Sequence, residues 1–110
     1  MKKEYRIRKN EEFKRIIQVR RSFSSANFIV YAANRQMDNA RMGISVSKKL
    51  GDAVERNKIK RQLRMMLLEI IDFETCPKDM IVIVRNGYLK NDYQTNKVDL
   101  ENVVKKAIIE

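Results

Sequence analysis

Apolar residues fall into segments with two different periods. Phe13, Ile16 and Ile17 recur at helical spacing behind Glu11 and Glu12, whose carboxylates suit the positive end of a helix. With Asn10 as the capping residue, this predicts a first helix from about Glu11 to Arg20. Ser22–Ser25 reads as a linker or a short strand. Phe28–Ala33 alternates as a strand does, with Phe28 and Val30 on one face and Ile29 and Tyr31 on the other. A polar turn is expected near Met37–Asn39. Met42–Lys48 alternates again: Met42, Ile44 and Val46 make an oily face, and Gly43, Ser45 and Ser47 a small, polar one. Such a strand fits a sheet with one face on a core and the other open.

Gly51 ends that segment. Asp52, with Glu55 three residues on, resembles a capping box with Asp in place of Ser or Thr. The helix it starts buries a stripe of Ile59, Leu63, Met66, Leu67 and Ile70, and must stop before Pro77. Met80–Val84 is nearly continuous in apolar residues and so reads as a central strand, broken by Asn86-Gly87. A last helix begins near Asp92 and buries Leu100, Val103, Val104, Ala107 and Ile108. The order is α-β-β-β-α-β-α, with Ser22–Ser25 counted as its short first strand. It predicts an α+β sandwich, one central sheet with helices packed on it. With no repeats or long linkers, residues 1–110 are expected to form a single domain.

Composition narrows the chemistry. The chain carries 24 Lys and Arg against 14 Asp and Glu, a formal charge of +10, and has no His and one Cys. Without His, and with Cys76 alone, neither the usual zinc sites nor a Ser-His or Cys-His nucleophile pair can be built. No metal-ligating or catalytic residue is therefore assigned. A single thiol closes no intrachain disulfide, and no apolar run approaches the roughly 20 residues that span a bilayer. Lys2 and Lys3 precede no apolar stretch of a signal peptide. A cytoplasmic protein that does not use a membrane is expected. The strongly positive charge points to a polyanion as partner.

The stretch from Arg56 to Arg64 concentrates that charge. At about 100° per residue, Arg56, Lys60 and Arg64 share one row of the helix, with Asn57 and Arg61 in the next. Like charges four residues apart repel by a few tenths of a kcal/mol. A purely soluble helix would interleave acids, and none occurs between Arg56 and Arg64. Guanidinium groups bridging phosphate oxygens would offset the repulsion. Lys48 and Lys49 sit just upstream, at the end of a strand; lysines also protect sheet edges. Three functions remain open on these residues alone: an RNA-binding module or chaperone, a DNA-binding module with this helix in a major groove, and a nuclease. The absence of His and of an acidic cluster disfavours the last.

The run Ile44-Ser45-Val46-Ser47-Lys48-Lys49-Leu50-Gly51-Asp52-Ala53-Val54-Glu55-Arg56-Asn57-Lys58-Ile59-Lys60-Arg61-Gln62-Leu63-Arg64 closely resembles the signature of the bacterial ribonuclease P protein family. The resemblance extends to Tyr5–Asn10 with Glu12-Phe13, to Ala26-Asn27 before the strand through Tyr31, and to Met80–Arg85. It covers essentially the whole chain, the last helix in pattern only. It implies the non-catalytic protein subunit of a ribozyme whose RNA holds the Mg2+ ions and removes the 5′ leader of precursor tRNA. Ribonuclease P RNA and precursor tRNA are then the partners, with no obligate protein partner. Residues matching the family's RNA-binding motif are Arg56, Asn57, Lys60, Arg61 and Arg64, with Lys48 and Lys49 beside them. Family positions for the leader map onto Phe13, Ile17 and Tyr31, with Ser45 and Ser47 able to line the same floor. Where the family often has a second aromatic in the first helix, this chain has Ile17, one stacking partner fewer. That difference is worth ~1–3 kcal/mol per base. The resemblance also implies a left-handed crossover between the two strands flanking the middle helix, against the general right-handed rule.

Phe13 and Ile17 also suit ordinary core packing. Glu11 and Glu12 are explained by the helix start, and Asp72 and Glu74 by the end of the middle helix. Met65-Met66 reads as core filler, and Cys76 receives no role.

Overall fold

In the computed structural model, which describes residues 1–109, three helices pack on one four-stranded sheet. The elements are α1 (Asn10–Gln18), β1 (Ser22–Ser24), β2 (Phe28–Asn34), β3 (Met42–Ser45), α2 (Ala53–Ile70), β4 (Lys78–Val84) and α3 (Tyr93–Ile109). The strand order is β1-β2-β4-β3. β2 pairs antiparallel with both β1 and β4, while β3 runs parallel to β4 with α2 as the connection. The run Met80–Val84 is therefore central, as its unbroken hydrophobicity requires.

Alternation divides the sheet's residues between two cores. Phe28, Val30 and Ala32 of β2 and Met80, Val82 and Val84 of β4 face one way. There they meet Ile59, Leu63, Met66 and Leu67 of α2 and Leu100, Val103, Val104 and Ala107 of α3. Ala33 and Ile81 face the other way and join Ile16 of α1 and Ile7 of the N-terminal segment. The second face is thus half covered rather than open, because α1 folds back across it.

Element boundaries follow local hydrogen bonding. Asp52 Oδ1 accepts the Glu55 N–H at 2.9 Å, the cap its sequence position predicts. At α1 the expected cap moves by one residue. Lys9 is in extended conformation and its carbonyl accepts the Glu12 and Phe13 N–H groups, so Asn10 is already helical and caps nothing. This helix ends at Gln18, short of the expected Arg20, because Arg20 adopts φ 62° and turns the chain into β1. α2 ends at Ile70. Asp72 then organises a turn, its Oδ1 accepting the Glu74 N–H at 3.0 Å and its carbonyl the Cys76 N–H at 2.9 Å. β3 is shorter than its alternation suggests: Ser47 Oγ accepts the Lys49 N–H at 3.2 Å and starts a 3-10 turn over Lys48–Leu50.

Candidate nucleic-acid interface

β3 is an edge strand, and its two faces border two different surfaces. Its free edge takes up the N-terminal segment: Arg6 bridges Met42 in parallel, and the Ile7 N–H donates to the Met42 carbonyl at 2.9 Å. Stacking of Tyr5 on Phe73, with ring centroids 4.6 Å apart, anchors the same segment. Arg6 and Arg8 alternate with buried Ile7 and so lie on the same side. They come to rest beside α2. A hollow of about 120 Å³ is lined by Arg6, Arg8, Ile44, Lys60 and Arg64 among others.

Four cations thus converge with no carboxylate in the lining. Burial lowers the Arg64 pKa first, and the positive charges of Arg6 and Arg8 lower it further. Arg6 Nε is buried and makes no hydrogen bond. Next to this hollow a larger one, about 390 Å³, is bounded by Arg6, Arg61, Arg64, Met65 and Leu68. Met65 is 58% exposed here, while its neighbour Met66 is fully buried. Met65 is therefore no core filler but an apolar rim beside the cations, since it falls on the Arg61 row of the helix. Arg56 points back to the helix start, its Nε 3.4 Å from the Asp52 carbonyl. Lys48 and Lys49 are exposed on the turn that joins β3 to α2.

The opposite face of β3 meets α1. Cross-strand register aligns Ser22, Tyr31, Ile81 and Gly43 in one row and Ser24, Ile29, Ile83 and Ser45 in the next. Phe13, Tyr31 and Ile83 are only half buried around the small core under α1, and Ile17 is 37% exposed. On this face Phe13 of α1 packs beside Tyr31 and Ile83 over the small core, Ile17 stands exposed one turn along the helix, and Ser45 is exposed on β3. Ser47 lies past the end of the strand, its hydroxyl engaged with the Lys49 N–H.

Gly43 decides how closely α1 approaches. A Cβ at this position would lie 2.7 Å from both Phe13 Cζ and Ile81 Cδ1. Gly43→Ala is accordingly expected to destabilise the protein by ~1–3 kcal/mol through overpacking. Thermal unfolding checks this; an unchanged midpoint would mean that Phe13 does not rest on the β3 backbone.

A family model described as Ribonuclease P matches residues 1–108. The chain belongs to the ribonuclease P protein family. It is 39% identical over 108 residues to the ribonuclease P protein component of Bacillus cereus strain AH187, covering 97% of this chain and 94% of that protein. Among solved structures, a Staphylococcus aureus RNase P protein mutant with defective mRNA degradation activity superposes with a TM-score of 0.85. It is 42% identical, over 96% of this chain and 89% of that one. The Thermotoga maritima RNase P protein gives a TM-score of 0.79 at 30% identity, over 92% of this chain and 96% of that one.

For this ribonuclease P protein, the residues singled out in the sequence fall into two groups on either side of β3. Arg56, Asn57, Lys60, Arg61 and Arg64 share α2, whereas Phe13, Ile17, Tyr31 and Ser45 lie on the α1 side of the sheet. Arg6 and Arg8 receive no charge-based role from sequence, because only pairing with β3 brings them to α2. The Arg-Ile-Arg alternation was the available signal. Two of the acidic residues are engaged elsewhere: Glu12 pairs with Arg41, and Glu74 accepts the Tyr5 hydroxyl at 2.8 Å. Among the described residues no three of Asp, Glu, Cys and His gather into a set able to hold a metal ion. Burial pushes the Cys76 thiol pKa up, against the thiolate that reactivity needs.

Proposed function

We propose that this chain binds ribonuclease P RNA through α2 and the 5′ leader of precursor tRNA through the α1–sheet cleft, while the RNA performs the cleavage. One observation supports the reading above the others. β3 borders both surfaces at once, Ile44 lining the cationic hollow with Lys60 and Arg64 and Ser45 exposed on the side of Phe13 and Tyr31. A strand leaving the RNA beside α2 would reach Tyr31 and Phe13 by passing around the exposed Ser45 end of β3. Half-exposed aromatic rings offer stacking for unpaired bases, and the cations of α2 attract the backbone. In this division of labour the polypeptide supplies binding and orientation. The Mg2+ chemistry belongs to the RNA in this reading, which fits the scatter of carboxylates among the described residues.

Membrane association is not part of the reading; among the described residues no helix is long and apolar enough to cross a bilayer. A DNA-binding or general RNA-chaperone role is the alternative. It predicts that duplex DNA or unstructured RNA competes as well as ribonuclease P RNA does. Reconstitution tests the proposal. Bacterial ribonuclease P RNA at low magnesium should cleave precursor tRNA faster with the chain than without it, and the chain alone should cleave nothing. Cleavage by the protein alone, or no effect on the RNA, would overturn it.

A further inference from the structure

α1 is held very unevenly. Of its nine residues only Ile16 is fully buried, directly over the sheet. The flank bearing Phe13 and Ile17 opens onto the cleft. On the opposite flank Glu12 and Arg15 lie three residues apart, on one side of the helix. Both are tied into the sheet through charge. Arg15 Nη2 donates to Asp79 Oδ2 at 2.8 Å, and Glu12 pairs with the Arg41 guanidinium. Asp79 in β4 is completely buried. Its Oδ1 accepts the Arg41 backbone N–H at 3.0 Å, and its Oδ2 also lies 3.5 Å from Arg41 Nη2. The Arg41 carbonyl in turn accepts the Met80 N–H at 3.0 Å, fixing Arg41 beside β4.

We propose that Asp79 is a positioning residue for leader binding: it clamps one flank of α1 and thereby sets the width of the cleft on the other. The inference rests on the cleft reading given above. A buried carboxylate with two guanidinium partners is a costly arrangement, stable only when each charge is matched. Its geometry is correspondingly stiff. Phe13 also packs on this core, so the clamp on one flank and Phe13 on the other together set the tilt of α1 about Ile16. A change of tilt moves Phe13 and Ile17 relative to Tyr31. With the clamp in place, the walls on which bases stack are set before the leader arrives, and less ordering is left for binding to overcome. Asp79 touches no RNA in this account, lying behind the helix from the cleft.

The neighbouring hollow behind α1, about 430 Å³ and bounded by Arg15, Arg21, Arg35 and Lys78 among others, does not compete for this role. Arg15 is bound to Asp79, Arg35 donates to the Glu74 and Cys76 carbonyls, and Lys78 donates to Asn34. Those cations are committed to the fold.

The test uses the assembled ribonucleoprotein. Asp79→Asn keeps the shape and removes the charge that holds Arg15. Dissociation constants are measured for precursor tRNA and for the matching mature tRNA, and the affinity of the protein for ribonuclease P RNA is followed alongside. The preference for the precursor is expected to fall about tenfold, while ribonuclease P RNA still binds as tightly. A general loss of stability shifts both tRNAs together, so the ratio isolates positioning. Tyr31→Ala is measured in parallel. If it abolishes the preference and Asp79→Asn preserves it, the clamp plays no part and the inference fails alone. If Tyr31→Ala also preserves it, the cleft reading falls and the inference with it. Should Asp79→Asn fail to assemble, Arg15→Gln on the solvent side of the clamp decides by the same ratio.

Discussion

Replacing Arg61 and Arg64 together by Gln lowers affinity for ribonuclease P RNA by on the order of 100-fold at moderate salt, with the fold intact. Each guanidinium supplies charge-assisted hydrogen bonds worth ~1.5–3 kcal/mol when phosphate replaces water. Among the described residues neither has a carboxylate partner to lose, so the substitutions leave no buried charge behind. Removing one of several crowded cations even relieves repulsion in the free protein: Arg64 has its pKa depressed partly by Arg6 and Arg8. The free protein should therefore unfold at an equal or slightly higher temperature. That combination, weaker RNA binding without loss of stability, distinguishes a binding surface from a structural one. Filter binding and thermal unfolding read the two sides; a large fall in stability, or RNA affinity within twofold of the parent, would contradict it.

Tyr31→Ala is expected to weaken precursor tRNA by about tenfold and mature tRNA hardly at all, since stacking is worth ~1–3 kcal/mol per base. Only the precursor carries the leader. Tyr31 is half buried near Phe13, paired in register with Ile81, and its loss leaves Phe13 as the aromatic ring on this face of the small core. If Ile17 stands where the resemblance places a second stacking ring, leader binding rests more heavily on Phe13 and Tyr31. Equal losses for both tRNAs would remove the leader from this groove.

Much of this was legible in the sequence because it is local. The cap at Asp52, the buried stripe Ile59-Leu63-Met66-Leu67 and the row Arg56-Lys60-Arg64 all repeat within one helix, where a period of 3.6 fixes the geometry. Alternation in Phe28–Ala33 likewise separated the Tyr31 face from the Phe28 face before any pairing was known. What stayed hidden depends on partners far along the chain. Asp79 looks like the polar border of an apolar run, yet it answers Arg15 and Arg41, 64 and 38 residues away. Arg6 and Arg8 join α2 only because the edge of β3 accepts the N-terminal segment. Met65 and Met66 are chemically identical neighbours, and 100° of helix rotation puts one in the core and the other at the cationic rim. The shift of the first cap from Asn10 to Lys9 has the same origin, since the extended Lys9 continues from the segment paired with β3.

The most direct measurement of the central claim is the salt dependence of binding to ribonuclease P RNA, parent against Arg61→Gln/Arg64→Gln. With about six phosphate contacts, the parent's log–log slope should lie near −4 to −5, and the double variant's should be shallower by roughly 1.4–1.8. Superimposable slopes would mean that these arginines do not displace counterions from the RNA, and that α2 is not its docking surface.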